Sequence, residues 1–137
     1  MTKNDLKQKL VLVYKLDTEL KIINIKIERW EAVSQVKAIR YDLDKVQSSP
    51  IDPMDITLAG LYKLLDKRKK IQVALARAVE DSNQIIDAVP NERNRLILHY
   101  RYTACLPWEE ISHRMGYTER HVRRFRDEAF DWICDNL

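Results

Sequence analysis

From about Asn4 to Gln47 the chain has no glycine and no proline. Apolar side chains recur at Val13, Leu16, Leu20, Ile23, Ile27 and Trp30, at gaps that alternate between three and four. That spacing puts them on one seam of an α-helix. The pattern then changes phase and resumes at Val36, Ile39, Leu43 and Val46, which fits a bend, a local overwinding or a change of partner near Trp30 to Val33. Leu12, Ile22 and Ile25 lie off the seam, so more than one neighbour is expected for this helix.

Ser48-Ser49-Pro50-Ile51-Asp52-Pro53 is the strongest interruption. Asp52 suits an N-cap and Pro53 the first helical position, where a missing N–H costs nothing. A second helix is predicted from there to about Ala88, with a seam at Leu61, Leu64, Arg68, Ile71, Leu75, Ala78, Ser82, Ile85 and Val89. Leu65, Val79 and Ile86 widen it. Gly60 near its start costs about 1 kcal/mol of helix propensity. Either it is simply tolerated or it allows close approach of the first helix. At 1.5 Å per residue the two helices are about 65 and 50 Å long. A two-helix hairpin of that kind buries only a seam, so self-association as a homodimer through residues 1–89 is expected, the alternative being a monomer in which the last domain packs on the hairpin.

After Pro90 the elements shorten. Asn91 is a cap for a third helix whose apolar face is Leu96, Ile97, Tyr100 and Tyr102. Thr103 to Leu106 connect it to a short helix that begins at Pro107 and runs to Met115. Gly116-Tyr117 is a turn, and Thr118 caps a last helix from Glu119 to about Ile133. Ile111 and Met115 give the short helix one buried face, Ser112 is small where two helices would approach, and Gly116 stands where a left-handed backbone is often needed. Val122, Phe125, Ala129 and Ile133 line the inner face of the last helix. This is helix-turn-helix logic, and residues 90–137 are expected to form that domain.

Charge sharpens this. The last helix carries Arg120, Arg123, Arg124 and Arg126 against one acid, Glu119, in its first turns, and then reverses to Asp127, Glu128, Asp131 and Asp135. Phosphate repels acids, so only the first two turns suit DNA. Asn91 to Leu137 hold eight basic and eight acidic residues, so the basic patch is local; the whole chain is +3. Composition narrows the class further. Two glycines and four prolines stand where about sixteen would be average. That argues against a phosphate-binding loop, a dinucleotide fingerprint or a turn-rich sheet. No window suits a membrane helix, the first residues lack an apolar signal core, and two cysteines make no disulfide framework. A reduced, cytoplasmic setting is expected.

The segments Glu92 to Tyr102, Trp108-Glu109-Glu110-Ile111-Ser112, Met115-Gly116-Tyr117 and Arg120-His121-Val122-Arg123-Arg124 resemble the promoter-reading C-terminal region 4 of sigma-70-type factors. Placed behind a long helical half in a short chain, they also resemble small phage late-gene activators of the ArpU and RinA type. The likeness covers about the last third. It implies a sequence-specific transcriptional regulator of phage or prophage origin that binds double-stranded DNA in the major groove. By residue it implies Thr118 at a phosphate or as a cap, and Arg120, Arg123 and Arg124 divided between guanine edges and phosphates. Glu119 and His121 are secondary DNA contacts, and Arg114 reaches the backbone. Trp108 and Tyr117 hold the two helices. Two departures matter: Pro107 replaces the usual Ser or Thr cap, and Glu119 stands where a basic residue is common and could instead accept from a cytosine amino group.

The remaining chemistry is sparse. Cys105, His113, His121 and Cys134 fit no common zinc spacing, so no metal is expected. Asp42 and Asp44 point to different helix faces, His99 is read as a partly exposed helix residue, and neither thiol has an evident catalytic partner. No cofactor and no enzyme activity are expected. The reading is therefore all-α, with a long N-terminal helical hairpin for assembly and a C-terminal helix-turn-helix. The alternatives are a module that binds RNA polymerase or another phage protein without reading DNA, and a small DNA-packaging subunit. The latter usually places its DNA-reading part first.

Overall fold

The structure is a computed structural model. It describes the backbone of residues 1–43 and 53–137, and side chains at 1–33 and 57–137. The described residues are all-helical: α1 (Lys3–Leu43), α2 (Pro53–Asp87), α3 (Glu92–Leu98), a π-helical segment (His99–Thr103), α4 (Trp108–Met115) and α5 (Glu119–Asn136). The interruption at 48–52, the Asp52 cap and the side chains of the rephased stretch Val36 to Val46 lie outside the described residues.

Two compact units form. The first comprises Met1–Asp17 with Ala74–Leu137, and the second Thr18–Val73. The first thus takes in more of the chain than 90–137. Its main core joins the start of α1 (Leu6, Leu10), the end of α2 and its sequel (Ile86, Val89), α3 and the π segment (Leu98, Tyr102), and α5 (Ala129, Phe130, Ile133). Leu6 and Leu10 are completely buried. They extend the α1 seam backwards from Val13 at gaps of four and three. Along α2 the better buried isoleucine is Ile86 rather than Ile85, so the seam drifts by one residue near its end, as a 3.6-residue helix must against a strict heptad. Thr2 and Asp5 close the start of α1 reciprocally, with Asp5 N donating to Thr2 Oγ1 at 3.2 Å. Thr2 holds the Asp5 carboxyl below its ordinary range by hydrogen bonding.

A second cluster of the same unit brings Ile97 together with Ile111 and Val122, and packs Tyr100, Leu106, Trp108, Met115 and Phe125 around them. Adjacent residues of α3 therefore serve different cores, Ile97 this one and Leu98 the main one. The expected outline of α3 needs correction here: Leu96 is 40% exposed, and Asn94, Ile97 and Leu98 are the buried positions. Tyr100 and Tyr102, two residues apart in the π segment and so on opposite sides of it, go to different clusters, Tyr100 to this one and Tyr102 to the main core.

In the second unit Ile23 and Ile27 pack on Ile71, with Leu20, Leu61, Leu64 and Leu65 around them. Arg68 is on this seam and donates to Asn24 Oδ1 at 3.5 Å. Gly60 is a close-approach position: a Cβ there would lie 2.7 Å from Trp30 Cη2. Leu12, Ile22 and Ile25, expected to meet further neighbours, are 45%, 48% and 50% exposed, because the chain offers that side of α1 no partner among the described residues.

Two outcomes follow for solution stability. Leu10→Ala should cost about 2–5 kcal/mol and lower the urea midpoint reported by Trp132, which packs on the same core. Gly60→Ala should gain about 0.5–1 kcal/mol of helix propensity only when Trp30 is also replaced by Ala. In the wild-type background the ring should cancel that gain, a coupling that urea melts of the four proteins would read.

Candidate nucleic-acid interface

The geometry of the α4–α5 segment begins at its turn. Gly116 ends α4 with φ 73° and ψ 23°, the left-handed conformation. Its N–H and that of Tyr117 both donate to Ser112 O, at 3.0 and 3.3 Å. Ser112 Oγ returns a hydrogen bond to Tyr117 O. Ser112 thus satisfies the turn by both its backbone and its hydroxyl, a role beyond the small size the sequence suggested. Thr118 then starts α5: its Oγ1 accepts from His121 N at 3.3 Å and lies 2.8 Å from His121 Nδ1. At the other end of this segment Asn91 caps α3 by accepting from Asn94 N, at 3.3 Å. Pro107 precedes α4 with no side-chain cap.

The arginines sort into two groups. Arg126 is turned inward. Its guanidinium lies 4.9 Å from the Trp108 ring and 5.7 Å from the Phe130 ring, and its side chain is 26% exposed. Burial pushes the Tyr102 phenol up, and the neighbouring Arg126 opposes that shift. Arg101 stacks on Trp108 at 4.6 Å and donates to Leu106 O at 3.0 Å. Arg93 lies 3.5 Å over Phe125 and pairs with Glu128 at 3.5 Å. Arg95 donates to Val89 O at 3.0 Å, just past the end of α2. Stacking on an aromatic face holds a cation while its stem fills apolar space. Arg126, counted from sequence among the basic first turns of α5, is thus removed from that surface by its packing on Trp108 and Phe130, and Arg93 and Arg101 were not singled out from sequence. The pairing of arginine and aromatic residues on neighbouring elements was the available signal.

The second group stays outside. Arg120 and Arg124 are exposed, one turn apart, and have no ion pair or hydrogen bond among the described residues. Arg123 is also exposed, 3.9 Å from Glu119 and 5.7 Å from the Trp108 ring centre. Glu119 is therefore a partner for Arg123 across one helical turn. His121 lies over Phe125 at 6.2 Å in stacked orientation. Arg114 is engaged elsewhere: its Nε and Nη2 both donate to Glu110 Oε1, at 3.2 and 3.0 Å. Tyr117, 40% exposed, meets Phe125 edge-on at 5.1 Å. Trp108 is half-buried, ringed by Arg101, Arg123 and Arg126.

Three of the four acids later in α5 have structural partners. Asp131 pairs with Lys3 at 2.7 Å, Glu128 with Arg93, and Asp127 with Arg126 at 3.1 Å. These are largely exposed pairs, which orient side chains more than they add stability. They give α5 a basic beginning and an acidic remainder tied back to the unit's own cations.

No family model, curated protein or solved structure matches the chain. Other chemistry finds no support in the geometry. Among the described residues no group of three or more His, Cys, Asp or Glu could hold a metal ion, and Cys105 and Cys134 are half-buried. Cys105 has a positive φ of 57°, at the connection into α4. His99 is half-buried with Nε2 2.8 Å from Asp87 Oδ1, a contact between the end of α2 and the π segment. No helix among the described residues is long and apolar enough to cross a membrane.

Gly116→Ala tests the turn directly. A Cβ would meet nothing within 4 Å, so crowding is not the obstacle. The left-handed backbone is, at about 1–2 kcal/mol. The variant should lose that much in a urea melt, and Gly116→Asn, which tolerates this conformation better, should lose less.

Proposed function

We propose that the protein is a sequence-specific DNA-binding transcriptional regulator, with no enzymatic role, that reads the major groove with the first turns of α5. The observation that carries this reading is the pair Arg120 and Arg124. They are exposed, one turn apart at the beginning of a helix that starts from the Gly116 turn and the Thr118 cap, and neither has an ion pair among the described residues. Their planar forks suit the two acceptors of guanine or a phosphate. Arg123, steadied between Glu119 and Trp108, serves the flank of that surface, and Thr118 and His121 its leading edge. Arg114 serves phosphate only by leaving Glu110, so its contribution is smaller than that of the two free arginines.

In this reading α4 and α5 are the two helices of a helix-turn-helix, and the resemblance to sigma-70 region 4 and to phage late-gene activators supports a phage or prophage regulator. The N-terminal helices serve assembly. Ile22 and Ile25 are half-exposed on α1, outside its contact with α2, and suit a second copy. A dimer would predict two half-sites separated by about one helical turn.

Selection of bound fragments from random duplex DNA, followed by footprinting, should recover a defined sequence. Arg120→Ala with Arg124→Ala should reduce affinity for it by about thirtyfold or more, at about 1–3 kcal/mol per lost bidentate contact, with helicity unchanged by circular dichroism. A double variant that keeps wild-type preference for the selected sequence over random duplex overturns the assignment of α5. Recovery of RNA polymerase without any DNA shift would favour the protein-binding alternative instead.

A further inference from the structure

The chain's positive charge does not reside where α5 is. The unit Met1–Asp17 with Ala74–Leu137 carries thirteen basic and thirteen acidic residues. The unit Thr18–Val73 carries eleven basic and eight acidic, so the entire +3 belongs to it. Its densest part is on α2, where Lys67-Arg68-Lys69-Lys70 are four successive cations. The fold separates these four. Arg68 turns to the α1 seam and Asn24. Lys67 and Lys70 join Lys63 at gaps of four and three, which puts the three on one flank of the exposed face of α2.

We propose that this lysine stripe, Lys63, Lys67 and Lys70, is a second DNA-contacting surface that grips the phosphate backbone of duplex DNA without reading its sequence. The inference rests on the reading of the protein as a DNA-binding one, but uses a different element and a different chemistry. All three lysines are exposed. Asp66 is the acid within the stripe; it pairs with Lys70 at 3.2 Å, with both side chains more than 60% exposed. Such a pair exchanges readily for a phosphate. Lys63 and Lys67 have no ion pair among the described residues. The three span about 10.5 Å along the helix axis, the axial length of about three phosphates on one strand. The residue type decides between readout and grip. An ammonium is a compact charge on a flexible stem, matched to phosphate but without the fork that recognises a base edge. The cations of the stripe are all lysines, whereas the exposed cations at the start of α5, Arg120, Arg123 and Arg124, are arginines, and the one arginine of the basic run is diverted inward. Tyr62, 65% exposed beside Lys63, gives the stripe an aromatic margin.

The test is the salt dependence of binding to a random-sequence duplex, measured by fluorescence anisotropy on the full chain. Replacing Lys63, Lys67 and Lys70 with Gln should lower the slope of log K against log salt by about 2.7, or 0.9 per lost phosphate contact. Replacing all three with Arg should retain the slope, which separates charge from fold, and circular dichroism should be unchanged in both. A Gln variant with the wild-type slope overturns the proposal, as does a wild-type protein that binds no random duplex. The Arg120→Ala, Arg124→Ala double variant separates the two readings. If it loses preference for the selected site but keeps most of the salt slope, both surfaces stand. If it keeps that preference while the Gln variant loses its slope, the α5 assignment falls and the lysine stripe stands.

Discussion

Leu6 and Leu10 packed against Phe130 and Ile133 hold together parts of the chain more than a hundred residues apart. The apolar stripe along the later turns of α5 closes on this core together with Ile86 and Val89 and with Leu98 and Tyr102, whose ring lies 5.7 Å from that of Phe130. Phe130 and Ile133 are both essentially buried, and each large apolar side chain covered in this way contributes about 1.5–3 kcal/mol. The short α3 and α4 have too few turns to be stable alone. α3 is held between this core, through Leu98, and the smaller Ile97, Ile111 and Val122 cluster, whereas α4 is held by the smaller cluster.

The same packing sorts the cations. An arginine near an aromatic ring can bury its stem and keep its guanidinium satisfied, and Arg93, Arg101 and Arg126 do so on Phe125, Trp108 and Phe130. Acids that a sequence reader sees only as repulsive to phosphate turn out to be tethers: Asp131 to the start of α1 and Glu128 to α3. What remains unneutralised on α5 is a small set at its first turns. In the proposed reading such a set is complemented by the separate lysine stripe on α2, with one surface to discriminate and the other to raise residence on DNA of any sequence.

Much of the local structure was legible in advance. Asn91 and Thr118 cap helices through the side-chain oxygens their identities promise, and Gly116 takes the left-handed conformation at the end of α4. The seam residues Val13, Ile23, Ile27, Ile71, Ala78 and Val89 are buried. These succeed because caps, turns and 3.6-residue periodicity act within a few residues. Leu96 failed for the reason that α3 is only two turns long, so its face is set by what lies on either side of it. The drift from Ile85 to Ile86 failed because a heptad was extrapolated along a helix that does not keep that period.

What the sequence determined by itself, then, was an all-helical chain, most helix limits, and the residues that stop and start them, since these follow from short-range backbone chemistry. Tertiary structure decided which arginines remain available and which become part of the core. It also decided that the first seventeen residues belong with the last sixty-four in one unit, and that Arg68 leaves its three lysine neighbours to join a helix seam. Those outcomes depend on contacts between segments far apart in the chain. Whether a charged group pairs, stacks or faces water is fixed by the neighbour that folding brings to it, and a linear reading contains the charges but not the neighbours.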